Sequence, residues 1–215
     1  MVFFGEGITV NDGMNRAIAY RVLRTIFGPL LILWFSPAII GNEFIPNKGA
    51  AVIAGNHKHA LDPILVDLCT KRTVYTLAKK ELHDGIFGWL FRAVGSIPVD
   101  LNAKRNPDAL HTAVSYLREG NLINVSPEAE RNYTEEILLP FKFGAVVMAK
   151  RAGCQLVPYA IVGDYKFRSK NLKIIFQEPI DTFDLDVEES NELLFNTIKN
   201  MLMHERSERT GHENA

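Results

Sequence analysis

Apolar positions fall into short runs whose period changes along the chain. Residues 50–55 (Ala-Ala-Val-Ile-Ala-Gly) form an unbroken apolar run, the pattern of a strand buried on both faces. Asp62-Pro63 then reads as a helix start, with Asp62 at the N-cap, Pro63 in the first turn and the helix reaching about residue 71. Residues 74–78 alternate β-formers and read as a second strand. Residues 82–94 are helical in period, with Leu82, Ile86, Trp89, Leu90 and Ala93 on one face. Strands follow at 95–99, 122–125, 156–162 and 172–176. Helices follow at 107–117, closing at Gly120, at 143–152, closing at Gly153, and at 187–206. The residues after Glu208 are polar and predict a frayed tail.

Strands alternating with helices predict an α/β fold, a mostly parallel mixed sheet flanked by helices. Ligands on such sheets sit beyond the carboxyl ends of the strands. That rule gathers Asn56-His57, Asp100 and Ser126-Pro127-Glu128 at one rim, since each follows a predicted strand.

The amino-terminal segment has a different pattern. Residues 25–42 carry no charge, and 26–40 are rich in Leu, Ile, Phe and Trp, broken by Gly28, Pro29 and Pro37. Arg16, Arg21 and Arg24 precede the run. A cleavable signal peptide would need a shorter polar start. A single span would need about 20 apolar residues and, by its flanking charges, would send the folded domain outside. A helix packed on the domain's own core is a third reading. The favoured one is a helix or bent helix pair lying in a membrane interface, with Leu30, Leu31, Leu33, Trp34 and Phe35 buried and the arginines at the headgroups. The predicted organisation is a helical membrane-associating segment at 1–42, an α/β domain at 43–207 and a polar tail at 208–215.

Composition narrows the picture. Of 215 residues, 47% are hydrophobic and 23% charged, with a formal net charge of −1. The balance suits a folded chain and gives no global field that would favour nucleic acid. Any anion site must come from local clustering. The two cysteines, Cys69 and Cys154, form no C-x-x-C pair and read as free thiols.

The segment Asn56-His57-Lys58-His59-Ala60-Leu61-Asp62-Pro63 carries the most pointed chemistry. Moving an acyl group onto an alcohol needs a base for the hydroxyl proton, and histidine titrates near neutrality. A carboxylate on the other ring nitrogen fixes the tautomer. Five positions along one helix rotate by about 140°, so His57 and Asp62 meet only if the helix starts after His57, where Pro63 places it. The alternatives are an Asp62 that only caps its helix and a structural His57. A metal reading fails because His57, His59 and Asp62 depart from the zinc-ligand spacing and no second ligand pair follows. No metal or cofactor is expected.

His57 and Asp62, with Asn56 before them, resemble the first block of the glycerolipid acyltransferases, the 1-acylglycerol-3-phosphate acyltransferase family. Gly95-Ser96-Ile97-Pro98-Val99-Asp100 is similar to its second block. Ser126-Pro127-Glu128-Ala129-Glu130-Arg131 is similar to its third, F-P-E-G-T-R, and Leu156-Val157-Pro158-Tyr159-Ala160-Ile161 to its fourth. The four blocks run in order over residues 50–162. The resemblance implies His57 as general base, Asp62 as its partner, and Glu128 and Arg131 in the acceptor site, with Arg131 near the phosphate. Asn56, Gly95, Pro127 and Pro158 support the motifs. It further implies an acyl-CoA or acyl carrier protein donor, a lysophospholipid acceptor (1-acylglycerol 3-phosphate) and a location at the cytoplasmic membrane face.

Three departures leave the acceptor open. Leu101 follows Asp100 where the family commonly has arginine, and Lys104 and Arg105 stand a few residues on. Ala129 and Glu130 replace Gly and Thr, and Ser126 replaces Phe. Lys79-Lys80 divide between a solvated face and phosphate contact. Another lysolipid acceptor, acyl hydrolysis, or an inactive lipid-binding relative are the remaining readings.

Overall fold

The computed structural model describes residues 10–103 and 105–213, with side chains described over 20–103 and 105–208. In chain order, α1 (Val10–Phe35) leads through β1 (Ala38–Ile40) and a short 3-10 turn to β2 (Ala51–Gly55). Then come α2 (Asp62–Leu68), β3 (Val74–Lys79), α3 (Lys80–Asp84), α4 (Gly88–Ala93) and β4 (Ile97–Val99). The chain continues through α5 (Pro107–Arg118), β5 (Leu122–Val125), α6 (Gly144–Ala152), β6 (Gln155–Val162), β7 (Lys173–Phe176) and α7 (Val187–Glu213).

The seven strands form one sheet in the order β1-β7-β6-β2-β5-β3-β4. Every pairing is parallel except β6 with β7. The expected mostly parallel α/β fold is therefore what forms. β2 sits between β5 and β6 because both of its faces are apolar. Val52 and Ala54 join the layer built by Ala113 and Leu117 of α5, Ala145 and Met148 of α6, and Leu194 and Ile198 of α7. Ala51 and Ile53 join the opposite layer, with Leu65 and Val66 of α2 and Ile174 and Phe176 of β7. The period-2 alternation of a strand thus feeds two cores.

Several boundaries differ from the sequence reading, among them the end of α2 at Leu68 rather than about residue 71. The expected helix at 82–94 is two short helices. A Cβ at Gly88 would stand 1.9 Å from the His83 carbonyl oxygen, so the chain doubles back where only glycine fits. The expected strand at 95–99 starts at Ile97, because Gly95 takes a left-handed φ of 72° against the Tyr75 ring. The helix at 187–206 runs on through Glu213, into the segment expected to fray. Within 1–42, expected to be helical, residues 38–40 instead form an edge strand on β7. Ser36, at φ 48°, and Pro37 end α1, and the amides of Arg168 and Ser169 cap its last carbonyls at Trp34 and Phe35.

α1 itself is sided in an unusual sense. Tyr20 is buried and accepts a hydrogen bond from the Val74 amide, Arg24 donates to the Arg72 carbonyl, and Gly28 packs against Leu68. The opposite face carries Val22, Ile26, Leu30 and Leu33, the last two 58% and 69% exposed. Over this stretch the contacts with the protein include polar ones and the outward face is largely apolar, while at the end of the helix Phe35 packs inward against Tyr165. α4 packs against α1, and next to it Ile86, Phe87 and Trp89 are exposed as well. Among the described residues no helix is long and apolar enough to cross a membrane. Arg16 lies outside the residues whose side chains are described.

Candidate active site

The site is built where β2 ends. A Cβ at Gly55 would stand 2.4 Å from the Tyr159 ring, so glycine lets the two strands close here. Asn56 follows, buried, and bridges to β6 by donating to the Ile161 carbonyl at 3.0 Å and accepting from its amide at 2.7 Å. The loop at 57–59 then turns over the start of α2. His57 Nδ1 lies 2.9 Å from Asp62 Oδ2. With Nδ1 committed to the carboxylate, Nε2 is the nitrogen left for substrate.

Asp62 is fully buried and makes no cap bond to its own helix. Its Oδ2 instead also accepts the Lys58 and His59 amides, each at 2.7 Å. Its Oδ1 accepts the Tyr165 hydroxyl at 2.6 Å. Burial and the adjacent Asp62 charge push the Tyr165 phenol well above its ordinary pKa, which keeps it a donor. Tyr165 also stacks on His59, with ring centroids 4.2 Å apart.

Glu128 holds the loop from the other side. Its Oε1 accepts the His57 amide and its Oε2 the Leu139 amide, both at 2.8 Å. Burial raises the Glu128 pKa, opposed by those two amides and by His57. The expected acceptor-site residue thus spends one oxygen on the His57 backbone and the other on the Leu139 backbone, tying the two loops together. Pro127 supports the same turn, accepting from the Lys142 amide at 2.9 Å, and Ala129 adopts a left-handed φ of 63° where the resembled block carries glycine. Pro158 lies one residue before the β7 ladder begins at Tyr159, and its carbonyl accepts from Gln177.

His57, Lys58, Glu128 and Asn56 line one cavity of about 320 Å³, together with Asn132, Thr134, Glu136 and, from α7, Leu202, Glu205 and Arg206. The other expected cations are placed elsewhere. Arg131 is exposed, with its guanidinium 5.3 Å from the Tyr133 ring centroid, and does not line the cavity. Lys79, Lys80 and Arg105 are exposed and do not line it either, and Lys104 lies outside the described residues. The cations that do line it are Lys58 and Arg206. In the loop before α2, the Lys58 and His59 amides are taken up by Asp62 and the Leu61 amide by His59 Nδ1. Among the described residues, His204, Glu205 and Glu208 bring ligand-type atoms within 4.8 Å of one another, and Glu205 is paired with Lys173 at 2.7 Å. Both cysteines are free and buried.

Sequence reasoning missed Tyr165 and Arg206. Tyr165 follows β6 by three residues, so the strand-end rule that found His57 also points to it. Arg206 carried no such signal, because a cation near the end of an amphipathic helix reads as a solvated residue.

The chain matches the family model described as Acyltransferase over residues 37–162. It is 30% identical over 147 residues to the 1-acyl-sn-glycerol-3-phosphate acyltransferase of Borreliella burgdorferi, covering 67% of this chain and 58% of that protein. It is 28% identical over 171 residues to the protein of the same name from Bacillus subtilis, covering 77% of this chain and 84% of that one. The fold is shared with the crystal structure of the 1-acyl-sn-glycerophosphate (LPA) acyltransferase PlsC of Thermotoga maritima. That match has a TM-score of 0.69 at 23% identity and covers 92% of this chain and 83% of that one. The matched region contains the His57–Asp62 pair and the glutamate that holds it, and the chain belongs to the acyltransferase family of enzymes.

Proposed function

We propose that this enzyme transfers a fatty acyl group from acyl-CoA or acyl carrier protein to the sn-2 hydroxyl of 1-acylglycerol 3-phosphate, making phosphatidic acid at the cytoplasmic membrane face. The observation that carries the reading is the His57 Nδ1–Asp62 Oδ2 contact at the wall of the cavity. The acceptor hydroxyl gives its proton to His57 Nε2 as its oxygen bonds to the thioester carbonyl carbon. The carbon–sulfur bond then breaks, and the thiolate takes the proton back from the imidazolium. Asp62 holds the ring and stabilises its charged form during transfer. No covalent acyl-enzyme is needed. The outward apolar face of α1 and the exposed Ile86, Phe87 and Trp89 support the membrane-surface part of the reading.

The assay offers labelled acyl thioester to the purified chain with and without lysophosphatidic acid. Acceptor-dependent lipid product is expected. Free fatty acid without acceptor would replace transfer by hydrolysis, and no turnover would leave a lipid-binding role. A second acceptor class is favoured by one observation: Glu128, Glu136 and Glu205 line the cavity against Lys58 and Arg206. A panel of phosphate-bearing and neutral lysolipids decides between them.

A further inference from the structure

A larger cavity lies at the other end of the sheet. It encloses about 570 Å³ between α1 and the connections that enter β3 and β5. Thr73 immediately precedes β3 and Asn121 immediately precedes β5, so this is the amino-terminal rim. β5, four residues long, separates it from the His57 rim by roughly 13 Å, at about 3.3 Å per residue. Among the described residues, four cations line it, Arg21 and Arg24 from α1 and Lys71 and Arg72 from the α2–β3 connection, and no carboxylate does.

Two of the four are fixed in place. Arg24 donates to the Arg72 carbonyl, and Arg72 donates to the carbonyls of Pro46 and Gly120. Those partners are neutral, so the bonds orient the guanidinium groups without cancelling their charge. Arg21 and Lys71 are exposed. Among the described residues, the carboxylate near this seam is Asp67, which is taken up by Tyr20 and largely buried behind it. It offsets one positive charge at most. Like charges around one concavity repel, and an anion between them relieves that repulsion. Guanidinium groups beside an ammonium suit the oxygens of a phosphate.

We infer that this cavity is a second, non-catalytic site that takes a phosphate-bearing anion. The chemistry is shared by the headgroup of an anionic lipid and by soluble phosphate. The outward apolar face of α1, on the helix that supplies Arg21 and Arg24, favours the lipid. The inference goes beyond acyl transfer and stands or falls without it.

The test uses the full chain and an Arg21→Ala/Lys71→Ala double variant, with an Arg21→Lys/Lys71→Arg exchange as the charge-conserving control. One arm measures co-sedimentation with phosphatidylcholine vesicles with and without phosphatidic acid. The other follows the melting temperature as inorganic phosphate is added. The double variant should lose roughly 30-fold of its affinity for the anionic vesicles and none for the neutral ones, with the exchange variant retaining binding. Saturable stabilisation by phosphate that the double variant loses, without a vesicle preference, would identify soluble phosphate as the ligand. Equal binding by wild type and double variant in both arms overturns the inference. Neither arm reads acyl transfer, so an inactive enzyme would not sink it, nor would its failure touch His57.

Discussion

Asp62 and Asp67 stand at opposite ends of α2, and their surroundings are opposite. Asp62 meets four donors: the His57 ring, two backbone amides and the Tyr165 hydroxyl. Asp67 meets the Tyr20 hydroxyl, and its Oδ1 has no hydrogen-bond partner. Burial pushes the Asp67 carboxyl up to about 7. The same contrast separates the two rims. Around His57, hydrogen bonds cross between β2, β5, β6 and the loops after them, and the charges are mixed. Around Tyr20, a helix lies against the sheet's other end, and the nearby charges are mostly positive. One rim is organised to hold a single imidazole. The other joins α1 to the domain through a few polar contacts, one of which titrates near neutrality.

The largest effect should come from the catalytic rim. His57→Ala is expected to lower the rate by about 10²- to 10⁴-fold. The variant loses one of the four donors to buried Asp62, so its melting temperature should fall, while its circular dichroism spectrum should remain that of the folded chain. Activity within a few-fold of wild type would remove His57 as base.

The next effect belongs to the seam. The folded pKa of Asp67 lies above its ordinary value of 3.8, so its contribution to stability is complete below about pH 4 and is lost as pH rises through about 7. A tenfold difference in proton affinity between the folded and unfolded chain is worth about 1.4 kcal/mol. Melting temperatures from pH 4 to 8 should decline in wild type by more than in Asp67→Asn, which keeps the neutral form throughout. Parallel curves would show that Asp67 does not titrate in this range.

Tyr165→Phe tests whether the fourth donor to Asp62 matters. Losing a hydrogen bond to a charged group costs about 1.5–3 kcal/mol. Tyr165 touches Asp62 and not the reacting atoms, so kcat and its pH profile should shift while KM holds. An unchanged pH profile with lower stability would reduce Tyr165 to a packing role.

The smallest effect is expected at Arg206. Arg206→Ala should raise KM for lysophosphatidic acid by about tenfold, some 1.4 kcal/mol, and leave a neutral monoacylglycerol acceptor unaffected. Equal changes for both acceptors would exclude a phosphate contact.

Much of the catalytic rim was legible because its signals are local. Gly55, His57, Asp62 and Pro63 lie within nine consecutive positions, and the strand-end rule carried Glu128 to the same rim. What the residues meant locally was less legible. Asp62 has the sequence context of an N-cap, yet its carboxylate turns away from α2 because the His57 ring, the Lys58 and His59 amides and Tyr165 supply the donors. Arg131 belongs to the resembled block but lies over Tyr133, and the cations beside His57 come from its own loop and from α7. The basic cavity was not legible, because its four cations come from two segments that only α1 packing brings together.

The sequence by itself determined the alternation of strands and helices, the rim that gathers His57 and Glu128, and the pairing of one histidine with one aspartate. Hydrophobic period and helix-start residues act over a few positions, which is the range a linear pattern encodes. Tertiary structure decided which side chains complete each site: Tyr165 on Asp62, Arg206 in the cavity beside His57, and α1 laid with Tyr20 and Arg24 inward. Those contacts join residues far apart in the chain, and burial and hydrogen-bond satisfaction at each contact depend on how the sheet and its helices close together.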